Sequence, residues 1–254
     1  MSTAETTTKR KRFSGILVHP TSFPSPYGIG DLGQGAYDFI DFLEKSGQHL
    51  WQVLPLGPTG FGDSPYQGFS AFAGQPLIIS PANIKELGLL TDADFSGMPQ
   101  WDPRKVDYGQ VLNFKTELFH KAYAHFTHTP DKMLLEEFED FCLAQKYWLE
   151  DYALFMALKT FFHDQPFRAW PEDIRMHWGF ALEHYNRELY FDIEFQKYMQ
   201  FKFNQQWSRL KAYANGKHIQ IVGDIPIYVS PDGADVWAHP ELFQLDEHNA
   251  PTAI

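Results

Sequence analysis

The side chains best suited to ligand chemistry lie in one stretch, Leu54–Gly74, which contains five glycines and three prolines. That density excludes regular helix and strand and predicts a shaped loop. The loop combines hydrogen-bonding side chains with aromatic rings: Asp63, Ser64, Tyr66 and Gln67, with Phe61, Phe69 and Phe72. Aromatic faces next to a few polar groups suit a ligand that is both apolar and polyhydroxylated, such as a sugar. The alternative is that the rings only fill one end of a barrel.

A second candidate is Asp224, which follows the apolar run Ile219–Val222. The run predicts a buried parallel strand, and Pro226 ends it because proline cannot donate to the ladder. Barrel enzymes place ligand and catalytic groups at the C-terminal ends of such strands. Asp224 could instead only cap its loop. We favour a ligand role because Gly223 leaves space beside it and Pro226 restricts its loop.

Earlier parts of the chain predict the elements that position these residues. Apolar runs at Gly15–His19 and Leu50–Leu54 predict two strands, and apolar residues at spacings of three and four predict a helix over Gln34–Ser46. A strand, helix, strand order is typical of a βα unit with parallel strands. A further brief strand is predicted at Leu77–Ser80.

The middle of the chain predicts helices, and we expect residues 85–190 to be a helical insertion between strands two and three. Helices are predicted at Leu112–His125, Leu134–Phe162, Pro171–Tyr190 and Asp192–Tyr213. The expected core residues of the insertion are Trp148, Phe155, Leu158 and Phe161. The histidines of this region lack metal-ligand spacing, so no metal site is predicted.

Composition narrows the function classes. The net charge of -11 argues against nucleic acid as the main partner, since phosphate binding needs basic patches. The only cysteine, Cys142, cannot form an intrachain disulfide and favours a reducing cytoplasm. No apolar run approaches the roughly 20 residues of a membrane span. Residues 1–13 are polar and lack the apolar core of a secretory signal, so a disordered tail is predicted. The oligomeric state is not indicated.

One glycine motif suggests a different function class, nucleotide binding. Gly28–Gly33 matches the G-x-G-x-x-G pattern of dinucleotide-binding folds, which would suggest a nucleotide-dependent oxidoreductase. That pattern requires a tight turn directly after the strand and an acidic residue after the next strand. Here a proline-rich segment separates the strand from Gly28, and Leu54-Pro55-Leu56, with no acidic residue, stands at the end of strand two. We therefore favour a glycine turn that leads into a helix.

Several segments resemble the amylomaltases, the 4-α-glucanotransferases of glycoside hydrolase family 77. The opening Gly15–Gly33 is similar to theirs, and Leu54–Thr59 with Gly62–Gln67 resembles their first substrate loop. Phe195–Trp207 resembles the long helix of the family, and Val222–Trp237 resembles a region shared with the α-amylase clan. The resemblance covers residues 13–250.

This resemblance implies an α/β fold, the N-terminal part of a (β/α)8 TIM barrel with a helical insertion. The expected division is a barrel part at 14–84 and 191–254, with the insertion at 85–190. It implies transfer of α-1,4-glucan segments to glucose or a maltooligosaccharide, as in starch, glycogen and maltodextrin metabolism. One carboxylate would attack the anomeric carbon while another acts as acid and base. No cofactor is expected for that chemistry.

Carried over residue by residue, the resemblance assigns binding roles rather than catalytic ones. Tyr66 is expected to stack on the sugar beside the scissile bond, with Ser64 and Gln67 lining the same loop. Asp224 is expected to hydrogen-bond the same glucose. Phe61 stands where the family has an aromatic residue that contacts long glucans at a second site, although a phenyl ring cannot donate a hydrogen bond.

The family's catalytic carboxylates are expected beyond Ile254, since no Arg-x-Asp-His motif occurs here. The 254-residue chain is therefore expected to be inactive by itself, and uncovered strand edges are expected to make it poorly soluble. The alternative function is a non-catalytic glucan-binding protein.

Overall fold

The structure is a computed structural model that describes residues 12–60, 62, 64–128 and 131–252. Three short strands form one parallel sheet in the order β1-β2-β3: β1 (Gly15–Leu17), β2 (Leu50–Gln52) and β3 (Gln220–Val222). In the register, Ile16 pairs with Trp51, and Trp51 pairs with Ile221. The prediction of three parallel strands is confirmed. Among the described residues, no strand pairs with the outer edge of β1 or β3.

The described part of the chain also contains nine helices and several short 3-10 turns. They are α1 (Gln34–Lys45), α2 (Pro81–Glu86), α3 (Tyr108–His128), α4 (Lys132–Ala144), α5 (Lys146–Phe161), α6 (Glu172–Arg175), α7 (Gly179–Glu188), α8 (Tyr190–Gly216) and α9 (Ala234–Ala238). The predicted helix at Gln34–Ser46 is confirmed as α1. Most of the helices lie between β2 and β3, so the chain has an α/β architecture with a helix-rich central part.

Several boundaries differ from the prediction. The predicted helix at Leu134–Phe162 is two helices, because the chain turns at Gln145 between α4 and α5. The region Pro171–Tyr190 likewise holds two short helices. The predicted strand Leu77–Ser80 is wrong: Pro76–Ile78 forms a 3-10 turn. An apolar run alone does not distinguish a strand from a buried turn.

The strands are shorter than their apolar runs. The backbone amide of Val18 still donates to Gln52 O at 3.0 Å, and Val53 N donates to Val222 O at 3.0 Å. Pairing thus continues one residue past β1 and β2, after which the chain departs into proline-rich loops. The apolar run of β2 extends past the strand, and Val53, which follows β2, is buried in the core. The residues 1–11 of the predicted disordered tail lie outside the described residues.

Helix α8 is the central support of the fold, because it packs against α1, α3, α4, α5, α7 and β3. A main core lies between the sheet and α1, α3 and α8, around the fully buried Trp51. The Trp51 indole donates to Val18 O at 2.9 Å, which satisfies its polar atom inside this core.

A second core lies between α5 and α9, around Phe155 and Trp237. Of the core residues predicted for the insertion, Trp148, Phe155 and Leu158 are buried. Phe161 is 45% exposed, so its assignment to the core is wrong. It lies at the last position of α5, where its ring meets Phe162 and Tyr185 near the surface.

The segment 74–80 is buried without belonging to a strand, and α8 satisfies its backbone. The Gln200 side chain accepts from Gly74 N at 2.8 Å and donates to Gly74 O at 2.9 Å. Gln206 does the same for Ser80, accepting from its N at 2.7 Å and donating to its O at 3.1 Å. Each amide thus replaces one peptide of a missing neighbouring strand. Unpaired buried peptides would be strongly unfavourable.

A buried lysine completes this arrangement. Lys115 of α3 donates from Nζ to Leu77 O at 2.7 Å and to Ile79 O at 3.1 Å, and its Nζ lies 3.8 Å from Asp31 Oδ2. Burial lowers the pKa of the Lys115 amine to about 8, and the Asp31 charge opposes that shift. The lysine therefore joins α3, the 74–80 segment and the glycine turn before α1.

The glycine turn is buried rather than open to a nucleotide. A Cβ on Gly30 would lie 2.1 Å from Pro20 O, and one on Gly33 would lie 2.5 Å from Ser80 Oγ. Asp31 Oδ1 accepts a hydrogen bond from Gly33 N at 2.9 Å. The glycines therefore allow close packing at the start of α1, as the preferred interpretation of this motif predicts. Among the described residues, no helix is long and apolar enough to cross a membrane.

The glutamine pairing generates the first prediction. Replacing Gln200 by Ala leaves the N–H and C=O of Gly74 buried without partners, so we expect the free energy of unfolding to fall by roughly 2–4 kcal/mol. Denaturant unfolding followed by circular dichroism measures this change. Gln34→Ala is the matched control, because Gln34 is an exposed glutamine on α1. It should change stability by less than about 0.5 kcal/mol. Equal losses in both variants would contradict the role assigned to Gln200.

Candidate functional site

The loop that follows β2 has a defined shape. Thr59 and Gly68 form an antiparallel bridge, and Gly60 N donates to Gln67 O at 2.8 Å. The Ser64 hydroxyl accepts from Tyr66 N at 3.3 Å at the tip. Gln75 Nε2 donates to Thr59 Oγ1 at 3.1 Å near the base of the loop. The loop is therefore a tight hairpin-like projection that presents Tyr66, whose side chain is 45% exposed.

The C-terminal half of this loop is anchored to α9. Phe69 O accepts a hydrogen bond from Ala234 N at 2.7 Å, and Asp235 Oδ2 accepts from Ala71 N at 2.8 Å. Burial raises the pKa of the Asp235 carboxyl, and the bond from Ala71 N opposes this shift. These contacts hold two segments that are far apart in the sequence in one orientation.

The loop that follows β3 is anchored to α5 by an ion pair. Lys159 Nζ contacts Asp232 Oδ2 at 2.9 Å and also donates to the carbonyls of Asp164 and Gln165. Asp232 Oδ1 accepts from Phe167 N at 2.8 Å. Both oxygens of Asp232 thus bind protein groups. Lys159 is 3% exposed, so this is a nearly buried pair whose loss would leave a charge without a partner.

Tyr66 and Asp224 meet where the loops after β2 and β3 approach each other. The Tyr66 hydroxyl donates to Asp224 Oδ2 at 2.8 Å, across 158 residues of chain. This hydrogen bond raises the pKa of the Tyr66 phenol above its ordinary value. A carboxylate can accept several hydrogen bonds, so Asp224 retains capacity for a ligand hydroxyl. The two predicted site residues therefore form one polar group with an aromatic face.

Two clefts share this pair as a common wall. The first, of about 420 Å³, has both apolar rings and amide side chains, and its lining includes Phe72, Gln145, Trp148, Asn204 and Trp207. The second, of about 680 Å³, includes Ser64 and Gln67. Both volumes lie in the range of small-molecule sites, and aromatic walls with a few polar groups are typical of such sites. Tyr66 and Asp224 are therefore reachable from two directions.

The structure brings together four of the five residues predicted to bind ligand. Tyr66 and Asp224 line both clefts, and Ser64 and Gln67 line the second. The fifth, Phe61, lies outside the described residues, as does Asp63. Sequence reasoning did not assign Gln145 or Asn204 to the site, and it placed Trp148 only in the core. These residues belong to α5, its preceding turn and α8, so no local motif could associate them with the Tyr66 loop.

The carboxylates near the clefts have different roles. Among the described residues that line them, only Asp224 and Asp232 are acidic. Asp232 is held by Lys159, and Asp235 by Ala71 N. A retaining glycosidase needs two carboxyl groups about 5–5.5 Å apart on either side of the scissile bond. Both oxygens of Asp232 bind protein groups, whereas the hydrogen-bond partner of Asp224 is the Tyr66 hydroxyl. The described part of the chain holds no cluster of three His, Cys, Asp or Glu side chains that could bind a metal.

Comparison with known families and proteins gives a consistent match. A family model described as 4-alpha-glucanotransferase matches residues 18–252. The 4-alpha-glucanotransferase of Synechocystis is 45% identical over 244 residues, covering 96% of this chain and 48% of the relative. That of Thermus thermophilus is 45% identical, with 96% and 48% covered. The chloroplastic/amyloplastic enzyme of Solanum tuberosum is 38% identical, with 96% and 43% covered. The chain thus spans about half the length of the curated relatives it matches.

Comparison with solved structures gives the same family. An amylomaltase from Streptococcus agalactiae, in complex with acarbose, superposes with a TM-score of 0.92 and 40% identity, over 96% of this chain and 49% of that one. The amylomaltase of Corynebacterium glutamicum superposes with a TM-score of 0.64 at 16% identity, which shows similarity of fold alone. The chain has an α/β fold resembling that of an amylomaltase.

The anchoring of the loop generates the second prediction. In Asp235→Ala the amide of Ala71 loses its acceptor, so the loop should open more often. We expect amide hydrogen exchange at residues 70–74 to become roughly tenfold faster, as for the loss of a bond worth about 1.4 kcal/mol. Mass spectrometry of exchange measures this effect.

Two control variants separate a local effect from general destabilisation. Asp235→Asn keeps an acceptor oxygen and should lie between wild type and Asp235→Ala. Asp140→Ala removes an exposed carboxylate of α4 and should leave exchange in the loop unchanged. If exchange at residues 70–74 is the same in wild type and Asp235→Ala, the loop does not depend on this bond.

Proposed function

The chain belongs to the 4-alpha-glucanotransferase family, and from that premise we propose that the protein acts in the transfer of α-1,4-glucan segments to an acceptor sugar. In this proposal the 254 residues supply the glucan-binding wall of the site. The observation that carries the proposal is the hydrogen bond between Tyr66 and Asp224 at the boundary of two clefts. The pair presents the exposed ring face of Tyr66 next to two polar groups, the Tyr66 hydroxyl and the Asp224 carboxylate.

Each residue of the pair has a specific role in the proposal. The face of Tyr66 packs against the C–H groups of one glucose ring, and Asp224 accepts a hydrogen bond from a hydroxyl of the same ring. The bond between them fixes both side chains before ligand arrives, which reduces the entropy lost on binding. Ser64 and Gln67 line the adjoining cleft, and Phe61 contacts longer glucans. The S. agalactiae amylomaltase was solved with acarbose, which supports a carbohydrate ligand.

The reaction requires a nucleophilic carboxylate and an acid/base carboxylate in addition to this pair. We assign Asp224 to binding because its hydrogen-bond partner is the Tyr66 hydroxyl. Asp232 is paired with Lys159 and is assigned no role in the reaction. We propose that these 254 residues by themselves bind maltooligosaccharides without cleaving them. Substrates are maltooligosaccharides and the linear parts of starch, glycogen or maltodextrin, and the expected compartment is the cytoplasm, since the sequence has one cysteine.

We further propose that β1, β2 and β3 belong to a (β/α)8 barrel. The support is their parallel order, the position of Asp224 just after β3, and the similarity to an amylomaltase. On this proposal the loops after β2 and β3 meet because the C-terminal ends of neighbouring parallel strands lie on one face. An experimental structure of the whole protein in which the outer edges of β1 and β3 carry no strand would overturn it.

The third prediction tests the binding roles. Tyr66→Ala should weaken maltotriose binding by about tenfold, which corresponds to about 1.4 kcal/mol. Tyr66→Phe keeps the ring face but loses the bond to Asp224, and should weaken binding less. Titration calorimetry with the 254-residue chain measures both. Tyr190→Ala is the matched control, because Tyr190 is 56% exposed and lines neither cleft.

Two outcomes would contradict the proposal. Equal binding by wild type and Tyr66→Ala, in samples that unfold cooperatively, would remove Tyr66 from the ligand site. Release of glucose from maltotriose by the 254-residue chain would show that carboxylates within it perform the chemistry. The second outcome would contradict the binding-only role assigned to this part of the protein.

A further inference from the structure

Three aromatic side chains form a group next to the first cleft: Phe72 of the loop after β2, with Tyr147 and Trp148 at the start of α5. The ring centroids of Phe72 and Trp148 lie 6.2 Å apart at 19°, a stacked arrangement. Phe72 meets Tyr147 edge-on at 5.6 Å and 86°. Phe72 is 54% exposed and Tyr147 is 64% exposed, while Trp148 is almost buried beneath them. We call these three residues the outer aromatic group.

The backbone that carries Phe72 is held by hydrogen bonds although the ring is exposed. Ser70 Oγ accepts hydrogen bonds from Phe72 N at 3.1 Å and Ala73 N at 3.3 Å. The next residue, Gly74, is paired with Gln200 through both of its backbone groups. A Cβ on Gly74 would lie 2.0 Å from a ring carbon of Phe203, so the chain passes α8 at the closest possible distance. The position of the Phe72 backbone is therefore set by the protein, and its ring packs against Tyr147 and Trp148.

The surroundings of the group are suited to a ligand with hydroxyls. Trp148 Nε1 donates to Gln145 Oε1 at 2.8 Å, which orients that amide beside the ring. Gln145 and Asn204 line the same cleft as Phe72 and Trp148. A protein partner with an apolar surface would leave these amides without partners, which is unfavourable. A sugar satisfies both parts of the surface, because its ring has C–H faces and a polar rim.

The position of the group selects the kind of sugar ligand. Phe72 and Trp148 line the first cleft and not the second, whereas Tyr66 and Asp224 line both. Phe72 and Trp148 therefore share the first cleft with the Tyr66–Asp224 pair and are separate from the second, while Tyr147 lies against Phe72. An oligosaccharide that lies along the first cleft would contact both places.

We propose that the outer aromatic group is a further subsite for the α-1,4-glucan, which binds a glucose unit distant from the one at Tyr66 and Asp224. This proposal rests on the proposed function, because the ligand of the subsite is the same glucan chain. The sugar packs on the exposed parts of Phe72 and Tyr147, and its hydroxyls bind the amides of Gln145 and Asn204. The subsite sets a preference for longer glucans by adding contacts that a short one cannot reach.

Glucan binding as a function of chain length tests the subsite. Titration calorimetry of the 254-residue chain with maltose, maltotriose, maltopentaose and maltoheptaose is compared for wild type and Phe72→Leu, which keeps apolar volume but loses the ring. We expect Phe72→Leu to weaken maltoheptaose binding by roughly fivefold to tenfold and maltose binding by less than twofold. Loss of one packed aromatic contact corresponds to about 1.0–1.4 kcal/mol.

Further variants control for indirect effects. Phe72→Tyr restores a ring and should restore the affinity for maltoheptaose. Tyr147→Ala, in an exposed residue of α5, should reproduce the length-dependent loss without changing the loop. Phe180→Ala is the matched control, because Phe180 is 64% exposed on α7 and lines neither cleft. It should bind all four sugars as wild type does.

The outcomes separate this subsite from the function it rests on. If wild type binds and Tyr66→Ala weakens every length, while Phe72→Leu matches wild type at every length, the subsite is wrong and the proposed function stands. If Phe72→Leu weakens all lengths equally, Phe72 acts by shaping the Tyr66 loop, and the separate subsite is again overturned. If folded wild type binds none of the four sugars, both proposals fail.

Discussion

The structure depends on burying a segment of backbone that belongs to no strand or α-helix. Residues 74–80 pass under α8, and their peptide groups require partners that a sheet would normally provide. Gln200 and Gln206 provide them, each pairing with both the N–H and the C=O of one residue, and Lys115 binds two further carbonyls. This requirement explains why a long helix carries buried amides. It also fixes where the loop after β2 leaves the core.

The candidate site follows from that fixed position. With Gly74 held by α8, the chain just before it is held to α9 through Ala71 and Phe69. The three strands are short, but because they are parallel, the loops after β2 and β3 begin at the same end of the sheet. Tyr66 and Asp224 therefore meet although 158 residues separate them. Aromatic side chains that stay exposed on a rigid backbone are suited to binding, because little entropy is lost when a ligand orders them.

Acidic residues near the site show how location determines role. Asp232 neutralises a nearly buried lysine, Asp235 accepts a backbone amide, and Asp224 stands at the cleft boundary with a tyrosine hydroxyl as partner. All three lie within one short stretch of sequence, Asp224–Asp235. Their partners, on α5 and on the loop after β2, differ because each aspartate faces a different element.

The sequence by itself determined the three strands, α1, α8 and the presence of a loop after β2, since each has a local signature in apolar periodicity or in glycine and proline density. Motif similarity also selected Ser64, Tyr66, Gln67 and Asp224, which the structure places at the two clefts. Only the tertiary structure decided that Leu77–Ser80 turns instead of pairing, that Phe161 is exposed, and that Trp148 and Gln145 line the cleft. The physical reason is that these outcomes depend on contacts across many residues. An apolar run specifies burial, but the partner that satisfies its backbone, here a glutamine 126 residues away, is fixed only when the helices pack.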